Sequence, residues 1–369
     1  MNRRFLPLFA FALLLLAACA SAPGPLRPVG ESELDHFLAA AKNPRERDGI
    51  VTYTTAAGPY YQGANRVHPG RAITLKLRGG KKAPGRPLFS AEGRIPGSGI
   101  LVLLDTSSAE SWLALDRAAA LDAVPVKPVE GAFPKHAKLS VPGYGTIVPR
   151  LRLKEKEYSA EEFWMELLTA YVPPAHGGLD ALARGDGAGR DAPLFVMGAS
   201  ALEGLSYIRL DYPRGTIRFS SAMDNYATPK GWRTVAECPL EAKRAQPLCI
   251  RGRFDESDEM KIVLDSAGAF AASLPAREEE MADPPRTVVI GGKALELGEA
   301  VRSHAQGGLP ESFPPRLGWK FFARHTVVFD FKARRFLLEE PLAGGEGKKK
   351  AAQDEKPAAW KHVRGTPAE

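Results

Sequence analysis

Apolar residues in this 369-residue chain fall in short runs broken by Gly, Pro and charged turns. That spacing predicts strands and hairpins rather than long amphipathic helices. Ala72 to Leu77 alternates as a strand does, and Leu194 to Gly198 is a short buried-strand run. Tyr207 to Asp211, the turn Tyr212-Pro213-Arg214-Gly215 and Thr216 to Phe219 predict a hairpin. A second hairpin is predicted by Thr326 to Asp330, Phe331-Lys332-Ala333 and Arg334 to Leu338. Thr287 to Leu297 reads as strand, Gly291-Gly292 turn and strand. Leu139 to Val141 and Thr146 to Val148 flank a turn with Tyr144 at its tip. The stretch after Ser159 is open: Ser159 with Glu162 fits a capping box for a helix through Tyr171, whereas Phe163 to Leu167 alternates weakly. Leu34, Phe37 and Leu38 share one face, which predicts a short helix over Glu31 to Lys42.

The pattern occurs twice. Around Asp105 the chain reads Gly93-Arg94-Ile95, a Pro/Gly turn, then Ile100 to Leu104, Asp105, Thr106, Ser107 and Ser108. Around Asp265 it reads Gly252-Arg253-Phe254, an acidic turn, then Ile262 to Leu264, Asp265, Ser266, Ala267 and Gly268. Each copy goes on to an apolar-Gly pair, Met197-Gly198 or Leu317-Gly318, and then to a hairpin with Asp at its turn, Asp211 or Asp330. Several landmarks in one order mark an internal duplication. Either Asp alone reads as a turn residue that bonds nearby N–H groups; two, each delivered by one copy of the unit, read as a paired-acid site.

Composition and the ends refine this picture. Arg3 and Arg4, the apolar core Phe5 to Leu16 and Leu16-Ala17-Ala18-Cys19 have the order of a secretory signal. The apolar run falls short of the roughly 20 residues a membrane-spanning helix needs. The last four residues resemble the bacterial lipobox, which implies a lipid anchor on Cys19 and, with Ala20 next, an outer-membrane protein facing the periplasm. In an exported chain the remaining cysteines, Cys238 and Cys249, predict a disulfide. Two Cys without neighbouring His or Cys cannot fill a zinc shell. Net charge is +7, and the basic residues near the C-terminus are mixed with acidic ones, which argues against a nucleic-acid surface.

The order of apolar strand, Asp with a hydroxyl residue and a small one, hairpin, apolar-Gly and closing hairpin resembles the retropepsin-like aspartic proteases over roughly Pro87 to Glu340. The resemblance implies a mainly β fold, with two retropepsin-like β-barrel lobes in one chain forming a pepsin-like pseudo-dimer. Its expected divisions are a signal peptide (1–19), a linker and N-terminal extension (20–86), a first lobe (87–221), a second lobe (222–340) and a disordered charged tail (341–369). It implies that Asp105 and Asp265 are the catalytic pair, that Thr106, Ser107, Ser266 and Ala267 support them, and that Tyr144 tips a flap. The implied activity is endopeptidase: one carboxylate takes a proton from a bound water while the other, protonated, polarises the scissile carbonyl. No cofactor or metal is called for. The expected partners are a peptide or protein substrate and the membrane through the lipid anchor, with no nucleic acid and no need to oligomerise.

Three departures from the family pattern support an alternative. Ser107 and Ala267 stand where the family has Gly, and Arg316 stands where a second apolar residue precedes Leu317-Gly318. They imply a catalytically inactive lipoprotein of the same fold that binds peptides or envelope proteins. Other catalytic patterns are poor. Met197-Gly198-Ala199-Ser200 starts like a nucleophile elbow but has Leu202 where the closing Gly belongs, and the seven His show no metal-ligand spacing.

Overall fold

The computed structural model describes residues 51–342 apart from 56–57, 79–84, 94–98, 114–117, 119–120, 126–143, 155–161, 173–194, 244–245, 276–282, 299, 308 and 310. The signal segment, the helix expected at Glu31 to Lys42, the first arm of the expected flap and the tail lie outside them. The described chain is almost entirely strand and turn.

In the first lobe, Leu88–Glu92 pairs antiparallel with Gly99–Leu104, and Gly99–Leu104 pairs in parallel with Phe195–Met197. Ser111–Leu113 lies antiparallel to Phe195–Met197 and parallel to Glu162–Val172. Glu162–Val172 pairs along its length with Tyr144–Lys154, which reaches back to Leu88–Glu92 and closes the sheet on itself. The stretch after Ser159 that fitted either helix or strand is therefore strand. Its alternation is weak because its second half is covered on both faces: Leu168 and Ala170 join the main core, while Leu167, at φ 52°, packs with Ile147 outside it. Tyr144 opens its strand opposite Val172.

The second lobe repeats the scheme in less chain. Cys249–Phe254 pairs antiparallel with Met260–Asp265, which runs parallel to Arg316–Gly318. Ala272–Leu274 lies antiparallel to Arg316–Gly318 and parallel to Val301–Ser303. Thr287–Ile290 and Lys293–Glu296 form the hairpin predicted around Gly291-Gly292.

A third sheet joins the lobes. Its six strands run Trp232–Pro239, Arg335–Pro341, Thr326–Asp330, Tyr207–Asp211, Thr216–Ser220 and Ala72–Lys76. The two closing hairpins meet in its middle, Tyr207 opposite Asp330 and Asp211 opposite Thr326. Each half brings three adjacent strands, so the duplication is also a pseudo-twofold. Ala72–Lys76, which precedes residue 87, is the outer strand of the first half. Asp211 and Asp330 hold the hairpin turns: Asp211 Oδ1 accepts from Arg214 N at 3.1 Å and Asp330 Oδ1 from Ala333 N at 2.9 Å.

The expected disulfide is absent, since Cys238 and Cys249 are both buried free thiols. Register explains it. Cys249 faces Glu241 across a β-bridge, three residues beyond Cys238. Three strand residues span about 10 Å, too far for a bond that needs Cα atoms within about 7 Å. The Cys249 thiol instead donates to Pro247 O. Burial pushes the Cys238 thiol up to about 12 and the Cys249 thiol up to about 11.

Candidate active site

Gly99–Leu104 and Met260–Asp265 deliver the two acids to the same place. Most of each strand is covered on both faces, which explains why they read as unbroken apolar runs. After each Asp the chain turns at once: Ser108 N donates to Asp105 O at 3.2 Å and Gly268 N to Asp265 O at 3.1 Å. The next strand locks each turn from behind. Ala199 N donates to Ser108 O at 2.8 Å, and Trp319 N donates to Gly268 O at 2.9 Å.

Gly198 and Gly318 make that approach possible. A Cβ on Gly198 would lie 2.2 Å from Glu110 O, and one on Gly318 would lie 2.2 Å from Phe270 O. Backbone occupies the space a side chain needs, so glycine is required at both positions.

The turns also bind each other across the lobes. Thr106 N donates to Ser266 Oγ at 3.0 Å, and Ser266 N donates to Thr106 Oγ1 at 3.2 Å. Each hydroxyl then donates to the opposite strand: Thr106 Oγ1 to Leu264 O at 2.5 Å, Ser266 Oγ to Leu104 O at 2.7 Å. Thr106 and Ser266 are fully buried, so every donor and acceptor here needs its partner. Leu248 N adds a further link to Thr106 O at 2.9 Å.

The carboxylates have different surroundings. Asp105 Oδ1 accepts from Ser107 N at 3.0 Å and from Ser107 Oγ at 2.7 Å. Asp265 Oδ2 accepts from Arg316 Nη1 at 3.1 Å, with the two side chains 3 % and 6 % exposed. The same Arg316 nitrogen lies 3.5 Å from Ser107 Oγ. Ser107 and Arg316 thus connect Asp105 to Asp265, with a permanent cation in the chain.

Strand register shows how far this departs from symmetry. Val196 faces Leu103 in the first lobe, and Arg316 faces Val263 in the second. Leu103 precedes Asp105 by two residues, as Val263 precedes Asp265, so Val196 and Arg316 are equivalents. Val196 packs with Leu103, Trp112, Tyr171 and the second lobe's Ala267 in a small apolar cluster. The equivalent space beside Asp265 is cationic. The Arg316 guanidinium lies 5.6 Å from the Phe313 ring, and Arg302 stacks 4.4 Å over Phe270. Burial, then Arg316, pull the Arg302 pKa down, while Asp265 pulls it up. His304 Nδ1 lies 2.9 Å from Ser273 Oγ, its Nε2 faces the carbonyls of Phe313 and Pro314, and burial leads its lowered pKa.

Asp105, Asp265, Thr106, Ser107, Ser266 and Ala267 therefore meet at the lobe junction. Arg302 is the residue the sequence reading missed. It is 37 positions beyond Asp265, and only strand pairing brings it near. Among the described residues no group of three His, Cys, Asp or Glu could hold a metal.

No protein-family model and no curated protein matches this chain. Among solved structures, basic 7S globulin from soybean is 12 % identical, with 73 % of this chain and 95 % of that one covered and a TM-score of 0.48. An aspartic proteinase from Irpex lacteus is 11 % identical, with 74 % and 98 % covered and a TM-score of 0.39. The architecture itself is mainly β and two-lobed: two Asp turns across a pseudo-twofold, over a six-stranded sheet shared by both lobes.

Proposed function

We propose that this protein binds extended peptides or envelope proteins at its lobe junction without hydrolysing them. The observation that carries this reading is the buried Arg316–Asp265 ion pair. A hydrolytic dyad depends on two carboxyl groups competing for one proton because their charges repel. A guanidinium bonded to one of them offsets that repulsion and occupies an oxygen that would otherwise face water and substrate. The Leu16-Ala17-Ala18-Cys19 sequence supports a lipid anchor that places the protein at the outer membrane, facing the periplasm.

The test is to incubate the full chain with fluorescent extended peptides and denatured protein from pH 3 to pH 7, measuring binding and cleavage together. Saturable binding with no cleavage above blank is expected. Turnover that disappears in both Asp105→Asn and Asp265→Asn would overturn the proposal. The endopeptidase reading would replace it, and the reciprocal Thr106–Ser266 bonding favours that second reading.

A further inference from the structure

Resting on the peptide-binding reading, we infer that the Asp265 side of the site is a carboxylate-binding subsite built by Arg302 and Arg316. It selects ligands that present an acidic side chain or a free C-terminal carboxylate there.

Both arginines carry an unmet donor. Arg316 commits Nη1 to Asp265 and Ser107, while its Nε is buried with no acceptor. Arg302 stacks on Phe270, and its own Nε is likewise buried with no acceptor. No carboxylate forms an ion pair with Arg302 among the described residues. A guanidinium N–H taken from water and left without an acceptor is costly, and a carboxylate answers the planar fork of an arginine with two oxygens.

Charge points the same way. Two guanidinium groups stand near Asp265, whereas Asp105 is bonded within its own turn by Ser107. His304, occupied by Ser273 and two carbonyls, does not alter that balance. Arg302 is only partly buried, so a ligand can reach it from solvent. Across the pseudo-twofold the equivalent space is filled by Val196, Trp112 and Tyr171. The two halves therefore demand different chemistry. Only the Asp265 half offers an anion a place, which gives a bound peptide one preferred direction.

The experiment measures anisotropy of labelled peptides on the full chain. Matched peptides carry Glu or Gln at one position, each with a free or an amidated C-terminus. Glu or a free terminus should tighten binding at least tenfold over the neutral amide, and the four peptides show which of the two carboxylates is used. Arg302→Gln should bring all four to one affinity, and Arg302→Lys should keep part of the preference. Equal affinities in the wild type, or a preference that survives Arg302→Gln, would overturn the subsite. If no peptide binds at all, the peptide-binding reading fails, and glutarate tests the subsite alone. A rise in melting temperature with glutarate, present in wild type and lost in Arg302→Gln, supports it; no rise refutes it.

Discussion

The Asp265–Arg316 pair makes a strong energetic prediction. Both side chains are almost wholly out of water, so removing either takes a bonded, oppositely charged partner from the other. That costs about 3–5 kcal/mol, a large part of the roughly 5–15 kcal/mol that holds a domain folded. Asp265→Asn and Arg316→Leu should each lose that much. The double variant removes both charges and should lose far less than the sum, with a coupling of about 3 kcal/mol. Asp105→Asn is the comparison: its carboxylate receives hydrogen bonds from Ser107, and substituting it leaves the Arg316–Asp265 pair in place. Urea unfolding at pH 7, followed by tryptophan fluorescence, gives the four free energies. Additive single variants would refute the claim that Arg316 is the partner of Asp265.

Two further predictions concern other groups. Burial raises the Glu110 carboxyl from 4.5 to about 7, Ser200 opposes that shift and Glu203 adds to it. Folded protein then holds this proton more tightly than unfolded protein does, so stability is full below pH 4.5 and falls as pH rises through 7. The loss is about 3 kcal/mol. Unfolding curves at pH 4, 6 and 8 should show it, Glu110→Gln should remove that share, and an unchanged pH dependence in the variant would contradict it. Cys238 and Cys249 should resist a thiol reagent at pH 8 in the folded protein and react together once it is unfolded, because burial and raised thiol pKa values both suppress the thiolate. Fast labelling of the native chain would show that these strands open.

Much of this architecture is legible in the chain because the local signals agree. Strands covered on both faces are unbroken apolar runs, as at Ile100 to Leu104. Closing hairpins announce themselves by Pro-Arg-Gly or by a short polar turn. The Asp turns are visible because the chain repeats them. What escapes is whatever depends on register. Cys238 and Cys249 are close in sequence, but a three-residue offset across the bridge keeps them apart. Arg316 is recognisable as a misplaced charge, yet its aim at Asp265 follows only from the parallel pairing of two strands. Arg302 carries no local mark. The stretch after Ser159 is ambiguous because a strand covered on both faces loses the alternation that identifies strands.

The sheet beneath the site has a mechanical consequence. Its central ladder runs from Tyr207 opposite Asp330 to Asp211 opposite Thr326, and the Thr106–Ser266 bonds cross the same lobe boundary above it. Two attachments at different heights act as a double clasp rather than a hinge. A rocking motion that pivots on the ladder must stretch the hydroxyl network, and one that pivots on the network must shear the ladder. The angle between the lobes and the spacing of the two acids are therefore a single coordinate. The floor that carries the two acids therefore keeps its shape.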